Sequence, residues 1–280
     1  MSKNIDLYPS QIRRDIVRMV HNAQSGHPGG SLGTVEFFTA LFFKILKTNP
    51  KNFTINTQDD DVFILSNGHI TPVYYSTLAR RGYFDVKELL SFRKLGSRLQ
   101  GHPSVHDQLP GIRISSGSLG QGLSIALGVA TGKKTNSDNH IVYTLHGDGE
   151  LQEGQIWEAV LYAGAKGVDN LIATVDYNNA QIDGRVDDVL SLGNLKAKFE
   201  AFDWMVVVIQ EGNNLQSVID GIQKAQSLTG KGKPVVILLH TKMGYGVDFM
   251  VDDYRWHGKP LNNEQLEKAL AQLPETLGDY

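Results

Sequence analysis

Five short runs rich in β-branched and apolar residues punctuate this chain: DVFIL (61–65), HIVYTL (140–145), LIATVD (171–176), MVVVI (205–209) and PVVILLH (234–240). Helix-length stretches lie between and around them: SIALGVATGKK (124–134), QIWEAVLYAGAKG (155–167) and NLQSVIDGIQKAQSL (214–228). Short buried runs of this kind, joined by helices, imply βαβ crossovers and a parallel sheet covered by helices on both faces. The fold class expected is therefore α/β. Upstream, Ile12, Ile16, Met19, Val20 and Ala23 repeat at helical spacing in QIRRDIVRMVHNA, with Ser10 placed to cap that helix. VEFFTALFFKIL (35–46) is apolar nearly all round, which predicts a buried helix and makes it a candidate subunit contact. NNEQLEKALAQL (262–273) carries Leu266, Ala269, Leu270 and Leu273 on one stripe.

With 280 residues, 41% hydrophobic and 20% charged, the chain has material for a large core, and its length suggests one large α/β domain or at most two small ones. A net charge of −3 argues against a nucleic-acid-binding surface. The lack of cysteine excludes disulfides, thiolate catalysis and cysteine-ligated metals. No apolar run is long enough to cross a bilayer, and no leader-like stretch follows the first residues, so a cytoplasmic location is expected.

Several phosphate and nucleophile motifs fail on spacing. Gly128, Gly132 and Lys133 come within one residue of a phosphate-binding loop, and Gly117, Gly120 and Gly122 reverse the dinucleotide spacing. A nucleophile turn around Ser118 would need glycine where Ser116 stands. What remains is Asp148, set between Gly147 and Gly149 where HIVYTL ends, and Asn178, just beyond the end of LIATVD. Either alone reads as a turn. Together, a carboxylate and an amide oxygen at two strand ends suit Mg²⁺, which takes few protein ligands and completes its shell with phosphate oxygens. The flanking glycines would let a diphosphate approach the backbone at the start of the next helix.

A strand-end Gly-Asp-Gly answered by a strand-end asparagine is the thiamine-diphosphate signature, and the likeness extends further. SGHPGGSLG, LSNGHITPVYYS, LGSRLQGHPS, SGSLGQGLSIALG, GDGELQEGQIWEA and NNAQIDG, in this order, resemble transketolase from about Ile12 to Lys259. The resemblance implies a thiamine-diphosphate-binding fold, here a single diphosphate-binding (PP) domain over 1–280. The pyrimidine-binding and carboxyl-terminal domains of that family would then reside on a partner chain. GYGVDFMVDDYRWHGKP (244–260) looks like the short loop of such a split form, and HPGGSLG departs from the HPGAPLG of single-chain enzymes.

The resemblance further implies Mg²⁺ bound by the Asp148 and Asn178 side chains and the Ala180 carbonyl, and diphosphate bound by the Gly149 amide. Gly117, Ser118 and Leu119 look like the segment that meets the cofactor's aminopyrimidine. His27, His69, His102 and His257 each match a family active-site histidine. His69 and His257 would also touch diphosphate, whereas His27 and His102 would face the sugar. Glu153 aligns with a glutamate linked to communication between sites, although a solvated first-turn carboxylate reads equally well. The implied activity is reversible transfer of a two-carbon ketol unit from a ketose phosphate to an aldose phosphate, as in the pentose phosphate pathway. The implied assembly is a heterotetramer with a carboxyl-terminal subunit. Competing readings are a specialised sugar substrate, the alpha subunit of a 2-oxo-acid dehydrogenase, deoxyxylulose-phosphate synthase and a non-catalytic cofactor-binding module. SGHPGG and LSNGHITP favour transketolase over the second of these.

Overall fold

The computed structural model describes residues 4–280. Its sheet contains β1 (Val62–Leu65), β2 (Val142–Gly147), β3 (Leu171–Tyr177), β6 (Met205–Ile209) and β7 (Val235–His240). These five are the apolar runs read from the sequence. They pair in the order β1-β2-β3-β7-β6, every pair parallel, while β4 (Ala180–Gln181) and β5 (Gly184–Arg185) form a separate two-stranded ribbon.

The helices are α1 (Tyr8–Ala23), α2 (Pro28–Gly33), α3 (Val35–Ala40), α4 (Thr71–Arg81) and α5 (Gln121–Thr135), then α6 (Gly154–Ala165), α7 (Val186–Leu190), α8 (Leu195–Ala201), α9 (Leu215–Leu228) and α10 (Asn263–Gln272). They cover both faces of the sheet. Alternation along the strands divides the core accordingly: Phe63, Leu65, Tyr143 and Leu145 join the cluster built on α1, α3, α4 and α9. Val62, Ile64, Ala173 and Val175 join the cluster built on α5, α6 and α8. Such strands are buried on both sides, which is why they read as continuous apolar runs. The later helices carry side-chain caps: Asn214 accepts from Ser217 N at 3.0 Å, and Asn262 and Gln265 form a reciprocal capping box on α10. On α10, Ala269 and Leu273 are buried and Leu266 and Leu270 pack against the core.

Two expectations need correction. Ser10 does not cap α1: the helix begins at Tyr8, Pro9 occupies its first turn, and the Ser10 hydroxyl donates to the Pro274 carbonyl at 2.6 Å. Proline has no N–H to satisfy there and its φ is preset, so the helix starts earlier than the polar residue suggests. VEFFTALFFKIL is the buried helix the sequence predicts, but its apolar residues are covered within this chain rather than left open as a candidate subunit contact. It forms α3 followed by one π-helical turn over Leu41–Ile45, and Val35, Phe37, Phe38, Ala40 and Leu41 are buried within this chain. Phe38 and Phe42 meet Phe63 of β1 and Tyr74 of α4 at ring separations of 5.4–5.8 Å.

Among the described residues, no helix is long and apolar enough to cross a membrane. Close packing is tightest where α6 passes the turn after α8: a Cβ on Gly164 would lie 1.8 Å from the Phe202 carbonyl oxygen. Gly164→Ala should therefore cost about 1–3 kcal/mol through overpacking. A urea midpoint matching that of the parent chain would disprove this contact.

Candidate active site

Parallel pairing brings four strand ends to one edge of the sheet, and the polar residues there face a shared cavity of about 480 Å³. Asp148 follows β2 and is 1% exposed. Its carboxylate accepts from Gly149 N at 2.7 Å and from Asn179 N at 2.5 Å, across the gap between the ends of β2 and β3. Asn178 turns inward beside it, accepting from Ala180 N at 2.9 Å and donating to Asp176 at 2.8 Å. Asn179 takes up a left-handed conformation (φ 55°), which asparagine tolerates, and this reverses the chain into the β4–β5 ribbon.

Three histidines form a close triangle on the opposite wall. Ring centroids are 5.0 Å apart for His27 and His69, 5.1 Å for His69 and His257, and 5.5 Å for His27 and His257. His27 stands at the start of α2, His69 in the short turn Gly68–Ile70 after β1, and His257 after the turn Tyr254–Trp256. His102 sits at the rim, more exposed than the others. Close approach of backbones requires glycine here. A Cβ at Gly68 would lie 2.7 Å from Gly117 N, and one at Gly117, where φ is +121°, would lie 2.5 Å from the His102 ring.

The electrostatics of the two walls are opposed. Burial, then the facing His257, Arg93 and His102, lower His27 to about 4. Burial and neighbouring histidines likewise keep His69 well below its ordinary value, and burial lowers His257. Partial burial and Arg93 lower His102. These imidazoles are neutral near pH 7, each with one donor and one acceptor nitrogen. On the other wall, burial pushes Asp148 up to about 8, and the Asp176 carboxylate beside it adds to the shift. Asp176 is itself raised by burial.

Of the residues singled out from sequence, His27, His69, His102, His257, Gly117, Leu119, Asp148, Gly149, Asn178 and Ala180 all line this cavity. Ser118 does not: it is exposed in the turn between two lining residues. Glu153 is exposed at the start of α6 and also lines the cavity. Sequence reasoning passed over Glu150. This buried carboxylate accepts from the Ser66 hydroxyl, from Gly120 N at 2.9 Å and from Gly147 N at 3.2 Å. It ties the ends of β1 and β2 to the turn that leads into α5. Asp176 was likewise hidden, reading as the polar end of an apolar strand; it accepts from the Thr241 hydroxyl beyond β7. Among the described residues, no cluster of three or more His, Cys, Asp or Glu side chains is arranged around a single metal position.

Fold and site together define a parallel α/β protein with its chemistry at the carboxyl ends of the strands. The family model for the thiamine diphosphate binding domain of transketolase matches residues 7–275, so this chain belongs to the transketolase family. It is 38% identical to one subunit of the apulose-4-phosphate transketolase of Actinobacillus succinogenes, covering 94% of both chains. It is 37% identical to a 6-deoxy-6-sulfo-D-fructose transketolase subunit from a Clostridium species, covering 94% of this chain and 93% of that one. Against Transketolase 2 of Escherichia coli the identity is 36%, over 91% of this chain but only 39% of the longer one. Among solved structures, transketolase from Leishmania mexicana superposes with a TM-score of 0.89 at 28% identity, covering 98% of this chain and 42% of that one.

The lowered histidines carry a signed consequence. Between pH 6.5 and about 4, His27 is protonated in the unfolded chain but not in the folded one, so it costs stability as the pH falls through that window. In an NMR titration the His27 imidazole should stay neutral down to about pH 4, and His27→Asn should lessen the loss of stability over that window. Titration near 6.5 would show that the ring is not buried as described.

Proposed function

We propose that this chain is the diphosphate-binding subunit of a two-chain transketolase, moving a two-carbon ketol unit reversibly from a ketose to an aldose with thiamine diphosphate and Mg²⁺. The observation that carries this reading is the convergence of Asp148, Asn178 and Ala180 on one wall and four neutral histidines on the other, around one cavity.

The residues present fit such a cofactor. Two adjacent buried carboxylates, Asp148 and Asp176, cannot both hold their charge without a cation, and a divalent ion would reverse their upward shifts. Asp148, the Asn178 amide oxygen and the Ala180 carbonyl are the hard oxygen donors Mg²⁺ prefers. Buried polar atoms of cavity-lining residues, His27 Nδ1, His257 Nδ1, Asn67 Oδ1 and Gln181 Oε1, find no hydrogen-bond partner among the described residues. Buried groups of this kind call for a polar ligand. Gly149 would bring its amide to the diphosphate, with His69 and His257 beside it.

Thiamine diphosphate, when bound, supplies the nucleophilic carbon and the electron sink for the broken carbon–carbon bond. This chain's share is orientation and proton movement. His27 and His102 would hydrogen-bond the sugar's carbonyl and hydroxyl oxygens. Their neutral rings are able to take a proton from a hydroxyl as the bond breaks and return it in the reverse sense. The walls of the cavity, Ile70, Met243 and Ile182 among them, would limit water around the reacting carbon.

Two features favour a companion chain. The relatives matched over nearly their whole length carry names of subunits, whereas single-chain transketolases are more than twice as long as the region matched. Leu119 and Ile182, which line the cavity mouth, are 36% and 64% exposed, and Leu161, Tyr162, Val189 and Leu190 are exposed as well. Apolar exposure at a cavity mouth marks an interaction surface, and we infer two copies of each chain in the assembly. The names of those relatives also favour a specialised sugar over the common pentose phosphates as substrate.

Asp148→Ala should abolish Mg²⁺-dependent cofactor binding in the assembled enzyme while leaving the far-ultraviolet circular dichroism unchanged. Undiminished thiamine-diphosphate affinity in that variant would refute the metal assignment. Purified alone with Mg²⁺ and thiamine diphosphate, the chain should show no two-carbon transfer, and adding the carboxyl-terminal companion should restore it. Full turnover by the isolated chain would refute the two-chain reading.

A further inference from the structure

Behind the histidines, and outside the residues that line the cavity, lies Arg93. We propose that Arg93 is a positioning residue that locks the loop carrying His27 to the loop carrying His102. Its backbone N–H donates to the Leu99 carbonyl at 2.9 Å, three residues before His102. Its Nη2 donates to the carbonyl of Gly101 at 3.4 Å, and its Nη1 donates to the Ser25 hydroxyl at 2.9 Å, two residues before His27. The guanidinium packs on Gly101, where a Cβ would come within 2.7 Å of Arg93 Cζ, so a larger residue there would push the guanidinium out of this position. The preceding residue supports the other loop. Phe92 is fully buried and a Cβ on Gly26 would sit 3.2 Å from its ring, at a backbone φ of +137°.

Two costs are retained at this position. Arg93 adopts φ 55°, a left-handed conformation uncommon for a non-glycine residue, and its buried Nε has no hydrogen-bond partner among the described residues. Local strain held by surrounding contacts is typical of sites where geometry serves function. A lysine could not replace this fork, since only a planar guanidinium reaches Ser25 and Gly101 at once.

The charge of Arg93 acts in the same place. The titratable and charged groups facing His27 are His257, Arg93, His102 and His69, and those associated with His102 are Arg93, His27 and His69. Arg93 is the only fixed positive charge among them. It favours the neutral form of both imidazoles, on top of burial.

This inference rests on the sugar-facing role proposed for His27 and His102. The test compares Arg93→Gln and Arg93→Lys in the assembled, cofactor-saturated enzyme, with imidazole NMR titrations of the full chain. Both variants should lose about tenfold to a hundredfold in kcat/KM for the donor ketose, as expected when reacting groups are misplaced, with cofactor affinity and thermal midpoint unchanged. In Arg93→Gln the His27 and His102 titrations should also move to higher pH, and the acid limb of the kcat/KM profile should follow. In Arg93→Lys the loss of rate should remain without that movement. Parent kcat/KM with unmoved titrations in Arg93→Gln would overturn the proposal. So would losses of cofactor affinity and thermal midpoint matching the loss of rate, which would make the role merely structural. His27→Ala and His102→Ala separate the two levels. If they impair transfer and the Arg93 variants do not, only this inference fails. Full transfer by both histidine variants would overturn the reading beneath it, while the titrations would still decide what Arg93 does.

Discussion

The parallel pairing of β2 with β3 is the constraint from which the site follows. In that register Gly147 lies opposite Asp176, and the ladder continues one step past the strand, with Asp148 N donating to the Asp176 carbonyl at 3.2 Å. Asp148 is therefore delivered beside Asn178 and Asn179, and the 2.5 Å contact to Asn179 N closes the two loops on each other. A slip of one residue would turn Asp148 to the opposite face of the sheet and Asn178 away from it, because side chains alternate along a strand. Both faces are packed against helices, so that slip would also bury the wrong residues.

The same edge of the sheet gathers anions that a core would ordinarily exclude. Glu150, Asp148 and Asp176 are all nearly inaccessible. Glu150 is satisfied from within: a hydroxyl and two amides donate to it, and the buried His146 stands 3.6 Å away. Hydrogen bonds to a charged group contribute about 1.5–3 kcal/mol each, enough to offset a desolvation cost of several kcal/mol. Burial raises Asp148 and Asp176 but leaves Glu150 below the ordinary carboxylate range, because the donors and His146 outweigh its desolvation. The contrast assigns different work to the three acids. Glu150 braces the turns, whereas burial disfavours the charged forms of the two aspartates, which in the proposed function a bound cation would offset.

Local pattern made much of this legible. The five strands and the helices α5, α6, α9 and α10 follow from runs and periodicity that tertiary contacts do not override. Asp148 and Asn178 were readable because glycine and asparagine at strand ends are conspicuous against apolar neighbours. What escaped depended on contacts distant in sequence. The Ser10 hydroxyl bonds the Pro274 carbonyl, 264 positions away, instead of capping α1, and although VEFFTALFFKIL reads as buried, the rings that cover it, Phe63 and Tyr74, come from distant segments. Glu150 bonds Ser66, which lies 84 positions away, and Arg93 bonds Ser25, which lies 68 positions away. No window on the sequence brings those pairs together.

The composition of the cavity bears on how a substrate is chosen. Its described lining contains histidine, aspartate, glutamate, asparagine and glutamine side chains, with glycine and apolar residues, but no lysine or arginine. Lys242 and Arg185 face a neighbouring crevice instead, on the far side of the loop that carries Asn178 and Ala180. Neutral imidazoles are suited to hydroxyl and carbonyl groups, which every ketose presents near its reacting carbons. A phosphate or sulfonate at the far end of a sugar requires a cation or several aligned donors. In the proposed assembly that counter-charge would come from the companion chain. Such a division would fit relatives named for apulose 4-phosphate and for a sulfonated fructose that are 38% and 37% identical to this chain over nearly its whole length. Under the function proposed above, the present chain would handle what ketoses have in common, and exchanging the companion chain would change the sugar without altering the histidines.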